Sequence, residues 1–554
     1  MNQIPNNNEN NIAVSEEETV SPTESMPAPT EQAINPNSVL YQPPYTPPKP
    51  PREFDGLECI FAWLCLLAGY LFCRIFPVSS TPLGGFIFII ALFMVTSVIF
   101  KIKGFKFKTM PVIAAASAIT VSLALILSAN PFLSFFAYFY ALATYCYFIY
   151  AITGNSLKGG FSDLIAMDYF KALFMLPFCS FDELFRAMFS GKAGKGGKVF
   201  LKIFIGILIA IVPTVIVLIL LSYDSGFSKL LSSIFDFNLR NVFSHIGSLL
   251  LGIPVAMYLF GLFISSIDGK CSGTVTTESC EKTSQKIKIA PALTVIAATL
   301  PLLFLYVVFF ISQWDYYISG FTGKLPEDFS YAGYAREGFF QLCAVSVVNL
   351  IVIMAVVIFM CRKKSKTSLL LKILTTVFSL FTLVLISTAV AKMIMYIECY
   401  GLTPKRVYAT WFMVLLAVIF ILTSIHQFVP KFKAIATSVC VCVVLFAALS
   451  LSGTDSLIAT YNIDRYLDGT LETVDLNAMS ELGDAAIPEL IRLAENIEDK
   501  GIDSTDEGIL YYDLTDVLKA EAEKLKNKES DVFTFNVPSA KAKKALARWT
   551  EGAK

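Results

Sequence analysis

Eleven apolar runs constrain this chain more than anything else in it. Each is close to the roughly 20 residues that an α-helix needs to cross a bilayer. They are Cys59 to Phe76, Leu83 to Phe100, Met110 to Leu127, Phe132 to Ala151, Ile203 to Leu221 and Ile246 to Ile267. The rest are Ile289 to Ile311, Gly338 to Cys361, Ser368 to Tyr396, Val407 to Val429 and Ala434 to Leu451. Lipid offers no water to a stray backbone N–H or C=O, so runs of this length fold as helices. The expected fold is therefore an all-α integral membrane protein. Composition points the same way: 16% of the 554 residues are charged, against about 25% in soluble domains. Pro213, Pro254 and Pro301 fall inside runs, where a missing backbone donor predicts a kink.

Lysine and arginine set the direction of threading, because cytoplasmic connections carry the excess. Connections after even-numbered runs hold 21 basic residues and those after odd-numbered runs hold 7. The first set includes Lys101 to Lys108, Lys158 to Lys202, Lys270 to Lys288, Arg362 to Lys366, and Lys431 with Lys433. This predicts a cytoplasmic N-terminus and, with an odd number of spans, an extracytoplasmic C-terminus.

Three regions follow. Residues 1–56 are rich in Asn, Glu and Pro and too poor in apolar side chains to offset the entropy of ordering, so a disordered cytoplasmic tail is expected. Its YQPPYTPPKPPREF stretch reads as a stiff spacer, or as a polyproline ligand for an aromatic groove. Residues 57–452 form the transmembrane domain. Residues 453–554 carry 12 basic and 21 acidic side chains and read as a small helical extracytoplasmic domain. There DSLIATYNIDRYLDG is a helix stopped at Gly469, and Asp484 caps a helix with Ile487, Leu490, Ile491 and Ala494 on one face. Leu510 to Lys526 and Ser539 to Thr550 supply further helices, with Asp531 to Asn536 an extended link.

Phe161 to Phe189 is aromatic and sparsely charged, which predicts two helices lying on the cytoplasmic face, broken at Pro177. Ser180-Phe181-Asp182-Glu183 reads as a capping box starting the second, which Gly191 would end. Ser225 to His245 is a shorter outer counterpart.

Catalytic patterns are missing. The two histidines, His245 and His426, lie far apart, with no HExxH pair and no GxSxG elbow. The run from Gly191 to Lys198 is glycine- and lysine-rich like a phosphate loop, but Gly197 stands where the lysine belongs and no Ser or Thr follows. The 12 cysteines mostly sit in apolar runs and none follows Gly453, so no disulfide framework holds the tail. No catalytic residue, metal or cofactor is expected. A basic membrane body with an acidic tail also gives no nucleic-acid partner.

One connection differs from the others. Gln313 to Leu342 gathers Trp314, Asp315, Tyr331, Tyr334, Arg336 and Glu337 between two runs. From there Tyr334, Gly338, Gln341, Val345 and Asn349 recur at helical spacing, and their amides are costly toward lipid, so this face should turn into the bundle. Lys392 is a basic residue well inside the outer half of another run. It either pairs with Glu337 or Asp315, closing a polar aromatic pocket, or snorkels to an interface lined by ordinary belt aromatics. Trp314, Asp315, Tyr331, Tyr334, Arg336, Glu337, Gln341, Asn349 and Lys392 are the candidate site, between the seventh, eighth and ninth spans.

GFTGKLPEDFSYAGYAREGFFQL, the downstream VNLIV, and in the tail IATYNIDRYLDG, VDLNAMSELGDAAIP and FNVPSAKAKKAL carry a resemblance. From about Phe61 onward the chain resembles an uncharacterised bacterial multi-pass family, domain of unknown function 4153 / 4173. The resemblance implies a bacterial cell-membrane protein and brings no activity, substrate or catalytic residue with it.

Three functions compete. A non-enzymatic binding, scaffold or signalling protein of the envelope fits the folded tail beside one aromatic-rich loop; its partners would be the lipid bilayer and an envelope protein or small-molecule ligand on the outer face. A small-solute or lipid transporter fits the number of spans and the Gln341/Asn349 face, although no internal repeat is evident. A lipid-phase transferase would rest on Asp315, Glu327, Asp328 and Glu337, acids that a membrane mouth more often leaves solvated.

Overall fold

The computed structural model describes residues 52–76, 81–190, 206, 210, 213–214, 216–217, 220–221, 239–270, 276–312, 314, 331–359, 366–429, 431–500, 506–527 and 531–552. Among them there is no β-strand, and ten helices are long and apolar enough to cross a membrane. The run Ile203 to Leu221 and the outer segment from Ser225 lie mainly outside the described residues, as does the Pro-rich tail.

The spans form two packed groups joined by a last helix. α1 (Gly56–Ile75), α2 (Pro82–Ile102), α3 (Thr109–Leu127) and α4 (Pro131–Ile152) build the first. Under them come α5, α6 (Glu183–Met188) and α7 (Leu239–Ile267). α5 runs as Ile165–Phe170, opens into a π-helical turn at Lys171–Met175 and closes as Leu176–Cys179. This core is strongly aromatic, with Phe61, Phe93, Phe100, Tyr145, Phe148, Phe260 and Phe263 buried. After the linking helix α8 (Thr277–Ile287), the second group is α9 (Ala292–Ser312), α10 (Tyr331–Phe359), α11 (Lys366–Tyr400) and α12 (Pro404–Phe428). Its core holds Phe339, Leu342, Ile353, Phe378, Leu385, Met413 and Phe420. α13 (Ala434–Leu451) touches both groups: Trp411 of α12 donates to the Leu445 carbonyl at 3.0 Å, and Phe446 packs on the first core.

Small residues set the closest crossing. α1 meets α7 where an added methyl at Gly69 would overlap the Gly252 carbonyl oxygen, and one at Gly252 would stand 2.6 Å from the Gly69 carbonyl carbon. Backbones this close exclude any larger side chain.

The connections sort to two ends. At the lysine-rich end, Lys103 bridges Asp55 at 2.7 Å and Glu58 at 2.9 Å, Lys158 meets Glu281 at 3.0 Å, and Lys433 donates to the Phe161 carbonyl at 2.7 Å. Partial burial pushes the Asp55 carboxyl up, but the Lys103 ammonium together with the backbone N–H groups of Glu58 and Leu57 holds it below its ordinary value. Helices α5 and α6 belong to this end. They bury Ala172, Leu176, Leu184 and Ala187 and leave Phe170, Phe174 and Phe178 exposed. The expected capping box does not form: Asp182 precedes α6 without a side-chain cap bond, and Ser180 instead accepts from Lys270 at 2.9 Å. Lys270 also reaches Glu183 at 3.4 Å, so the cation takes both members of the box.

At the other end lie the C-terminal helices: α14 (Thr454–Leu467), α15 (Leu476–Ser480), α16 (Ile487–Lys500), α17 (Asp506–Asn527) and α18 (Val537–Gly552). Gly469, at φ +70, turns the chain after α14. Ile458, Ile463, Leu490, Leu493, Leu514, Leu518 and Leu546 share one core, with Leu402 of the α11–α12 turn and Val407 of α12 packed against it. Asp484 lies in a 3-10 turn (Gly483–Ala485) ahead of α16 and accepts from the Ser539 hydroxyl. The expected extended link holds a 3-10 turn as well, Val532–Thr534.

Candidate functional site

Four of the nine candidate residues have described side chains. Trp314 is exposed, its ring edge-on to Phe310 with centroids 5.3 Å apart. Gln341 is exposed, whereas Asn349 and Lys392 are completely buried. Tyr331, Tyr334, Arg336 and Glu337 begin α10, but their side chains lie outside the described residues, as does all of Asp315. The pairing of Lys392 with Glu337 or Asp315, and the pocket it would close, therefore fall there too.

Gln341 and Asn349 do not share a buried face. The stripe that α10 buries is Phe339, Leu342, Ser346, Asn349, Ile353 and Val356. At 3.6 residues per turn Gln341 sits about 80° around the helix from Asn349, on the side away from Phe339 and Ser346. The i, i+4, i+7 spacing drifts off the true stripe by enough to turn the first amide outward.

Asn349 ties three spans together. Its side-chain amide donates to Thr382 Oγ1 of α11 at 2.9 Å, and the Tyr306 hydroxyl of α9 donates to its Oδ1 at 2.5 Å. Further along α11, Gln427 of α12 accepts from Thr375 at 2.5 Å. A void of about 20 Å³ adjoins this pair, lined by Ile353, Lys372, Thr375 and Gln427. α11 thus carries a buried polar line of Thr375, Ser379, Thr382, Thr388 and Lys392. Ser379, Thr382 and Thr388 each donate to the carbonyl four residues back, which satisfies their hydroxyl protons within the helix. Lys392 stands ten residues beyond Thr382, about 15 Å along the axis. Chemically, the described part of this line is a set of neutral hydrogen bonds with the lysine at its far end, and among the described residues no three His, Cys, Asp or Glu could hold a metal.

A second polar cluster, which no motif in the sequence marks, lies at the π-helical turn. Asp168 is buried and accepts from the Tyr150 hydroxyl at 3.0 Å and the Leu157 backbone at 3.1 Å. Burial pushes its carboxyl above the ordinary value against those bonds and the nearby Lys171. The Lys171 ammonium lies 5.6 Å from the centre of the Tyr150 ring, and Tyr147 stacks on Tyr169 at 4.6 Å. Five residues before Asp168, Asp163 accepts from the Ala436 N–H at 3.1 Å, capping α13. The available signal was an acid and a base three apart, in IAMDYFKAL, within an otherwise apolar stretch.

A family model described as a domain of unknown function (DUF4153) matches residues 115–493, well over half of the chain. The chain belongs to the DUF4153 family. The DUF4153 segment begins inside α3 and ends inside α16. It takes in both polar clusters and the first tail helices and leaves out α1 and α2, which the resemblance from about Phe61 had included. No curated protein and no solved structure matches this DUF4153 chain.

Proposed function

We propose that this DUF4153 protein is a non-enzymatic binding or scaffold protein of a bacterial cell envelope. In this reading the helices after Gly453 lie outside the cell membrane and present a surface to an envelope partner or ligand. The observation that carries it is how the tail is seated. Asp455 joins Asn130, Asn462 brackets Leu402 with bonds of 2.6 and 2.8 Å, and Arg465 reaches the Ile397 carbonyl at 3.3 Å. These joints engage α4, α11 and α12, so a partner held by the tail would bear on both groups of spans. The excess of lysine and arginine at the opposite end supports placing the tail outside. Affinity capture from envelopes with the full chain and with a chain lacking residues 453–554 tests it; identical partner sets would count against it.

The polar line on α11 favours a second reading, a small-solute or lipid transporter with an outward site between α9, α10 and α11. Polar side chains buried within spans are expensive and commonly mark a pathway. Flux in proteoliposomes that Asn349→Ala abolishes supports this route, and flux that the substitution leaves untouched argues against it.

A further inference from the structure

The turn Val532–Thr534 is closed by its own hydrogen bonds. Asp531 caps it, accepting from the Phe533 N–H at 3.2 Å and, through its carbonyl, from the Thr534 hydroxyl at 2.7 Å. Asn536 accepts from the Ser539 N–H at 2.8 Å and so starts α18 directly after it. Despite this order its apolar side chains are bare: Val532 is 73% exposed, Phe533 51% and Phe535 46%. The turn is also fixed in place. A methyl at Gly84 would stand 3.5 Å from Phe533 Cβ, and Gly84 is in the first turn of α2, a span that starts at Pro82. Three exposed apolar side chains therefore sit beside the first turn of a helix long and apolar enough to cross a membrane. On the same end of the molecule Phe132, Phe135 and Phe136 open the span α4 with exposed rings. Aromatic and apolar side chains at that level partition into the headgroup and upper acyl region.

We infer that Val532, Phe533 and Phe535 dip into the lipid leaflet next to α2 and form a membrane anchor for the C-terminal helices. The occupant of this patch is phospholipid, because the patch continues the lipid-facing belt of the spans. This holds whichever side of the membrane the tail occupies, and it goes beyond the scaffold reading.

A photo-crosslinking side chain, p-benzoylphenylalanine, placed singly at positions 532 and 535 of the full chain in phosphatidylethanolamine–phosphatidylglycerol nanodiscs tests it. Both positions are open enough to accept the probe. Phe135, exposed on α4, is the lipid-facing reference; Tyr512, exposed on α17 among tail helices, is the solvent reference. Phospholipid adducts at 532 and 535 matching those at 135, with none at 512, are expected. Adducts as scarce as at 512, or adducts joining two copies of the chain, would overturn the anchor.

Discussion

The side-chain amide of Asn130 donates to Asp455 Oδ1 at 3.1 Å, joining residues 325 apart in sequence. Ser128 reaches the other carboxylate oxygen at 3.5 Å. Asn130 also accepts from the backbone N–H groups of Phe132 and Leu133, so one side chain both caps α4 and seats the first tail helix.

Asn130→Ala removes a helix cap, worth about 1 kcal/mol, and a bond to a charged group, worth about 1.5–3 kcal/mol. The expected result is a clear fall in thermal stability of the purified protein. Tail cleavage by a soluble protease should speed up before the spans unfold.

Asp455 also gives the joint a pH dependence. Burial raises its carboxyl above the ordinary value of 3.8, against the bonds from Asn130 and Ser128. A group with a raised folded pKa contributes stability that is full below the unfolded value and is lost as pH rises through the folded one. Tail seating should therefore weaken as pH rises from about 4 through the mildly acidic range. Asp455→Asn should flatten that slope, read as protease protection of the tail against pH.

Gly69 and Gly252 set the closest crossing of spans. Gly252→Val places a branched side chain against the Gly69 backbone and should cost about 2 kcal/mol or more. Gly56→Ala on the same pair of helices meets nothing within 4 Å and should be nearly silent. Melting both variants in one detergent compares them.

Asn349→Leu leaves the Tyr306 hydroxyl without its acceptor and should cost about 1 kcal/mol. With Tyr306→Phe already in place the same substitution should cost less, because the orphaned group is gone. Equal costs in both backgrounds would mean that the bond contributes nothing.

The expected pairing of Lys392 is tested in the same way. Lys392→Ala and Glu337→Ala should be coupled by at least about 0.5 kcal/mol if the two meet. Simple additivity removes the pairing.

The spans were legible because an apolar run of bilayer length has few alternatives to a helix. Asn349 was legible as a polar side chain deep in such a run, where it must face protein. Gln341 was misplaced because helical spacing read over two turns cannot say where the buried stripe is centred. Ser180 and Glu183 matched a capping box locally, yet Lys270, 87 residues on from Glu183, takes both side chains. No local pattern singles out Asp168 or Asp455. What distinguishes them is burial against Tyr150 and Asn130, contacts set by how helices pack rather than by any local pattern.

The central claim is that the helices after Gly453 face the outside of the cell membrane. An epitope tag placed after Lys554, probed on intact cells with an impermeant protease, tests it most directly. The account predicts that the tag and tail are removed from intact cells while a cytoplasmic marker survives. A tag that survives on intact cells and is lost only after lysis would contradict it.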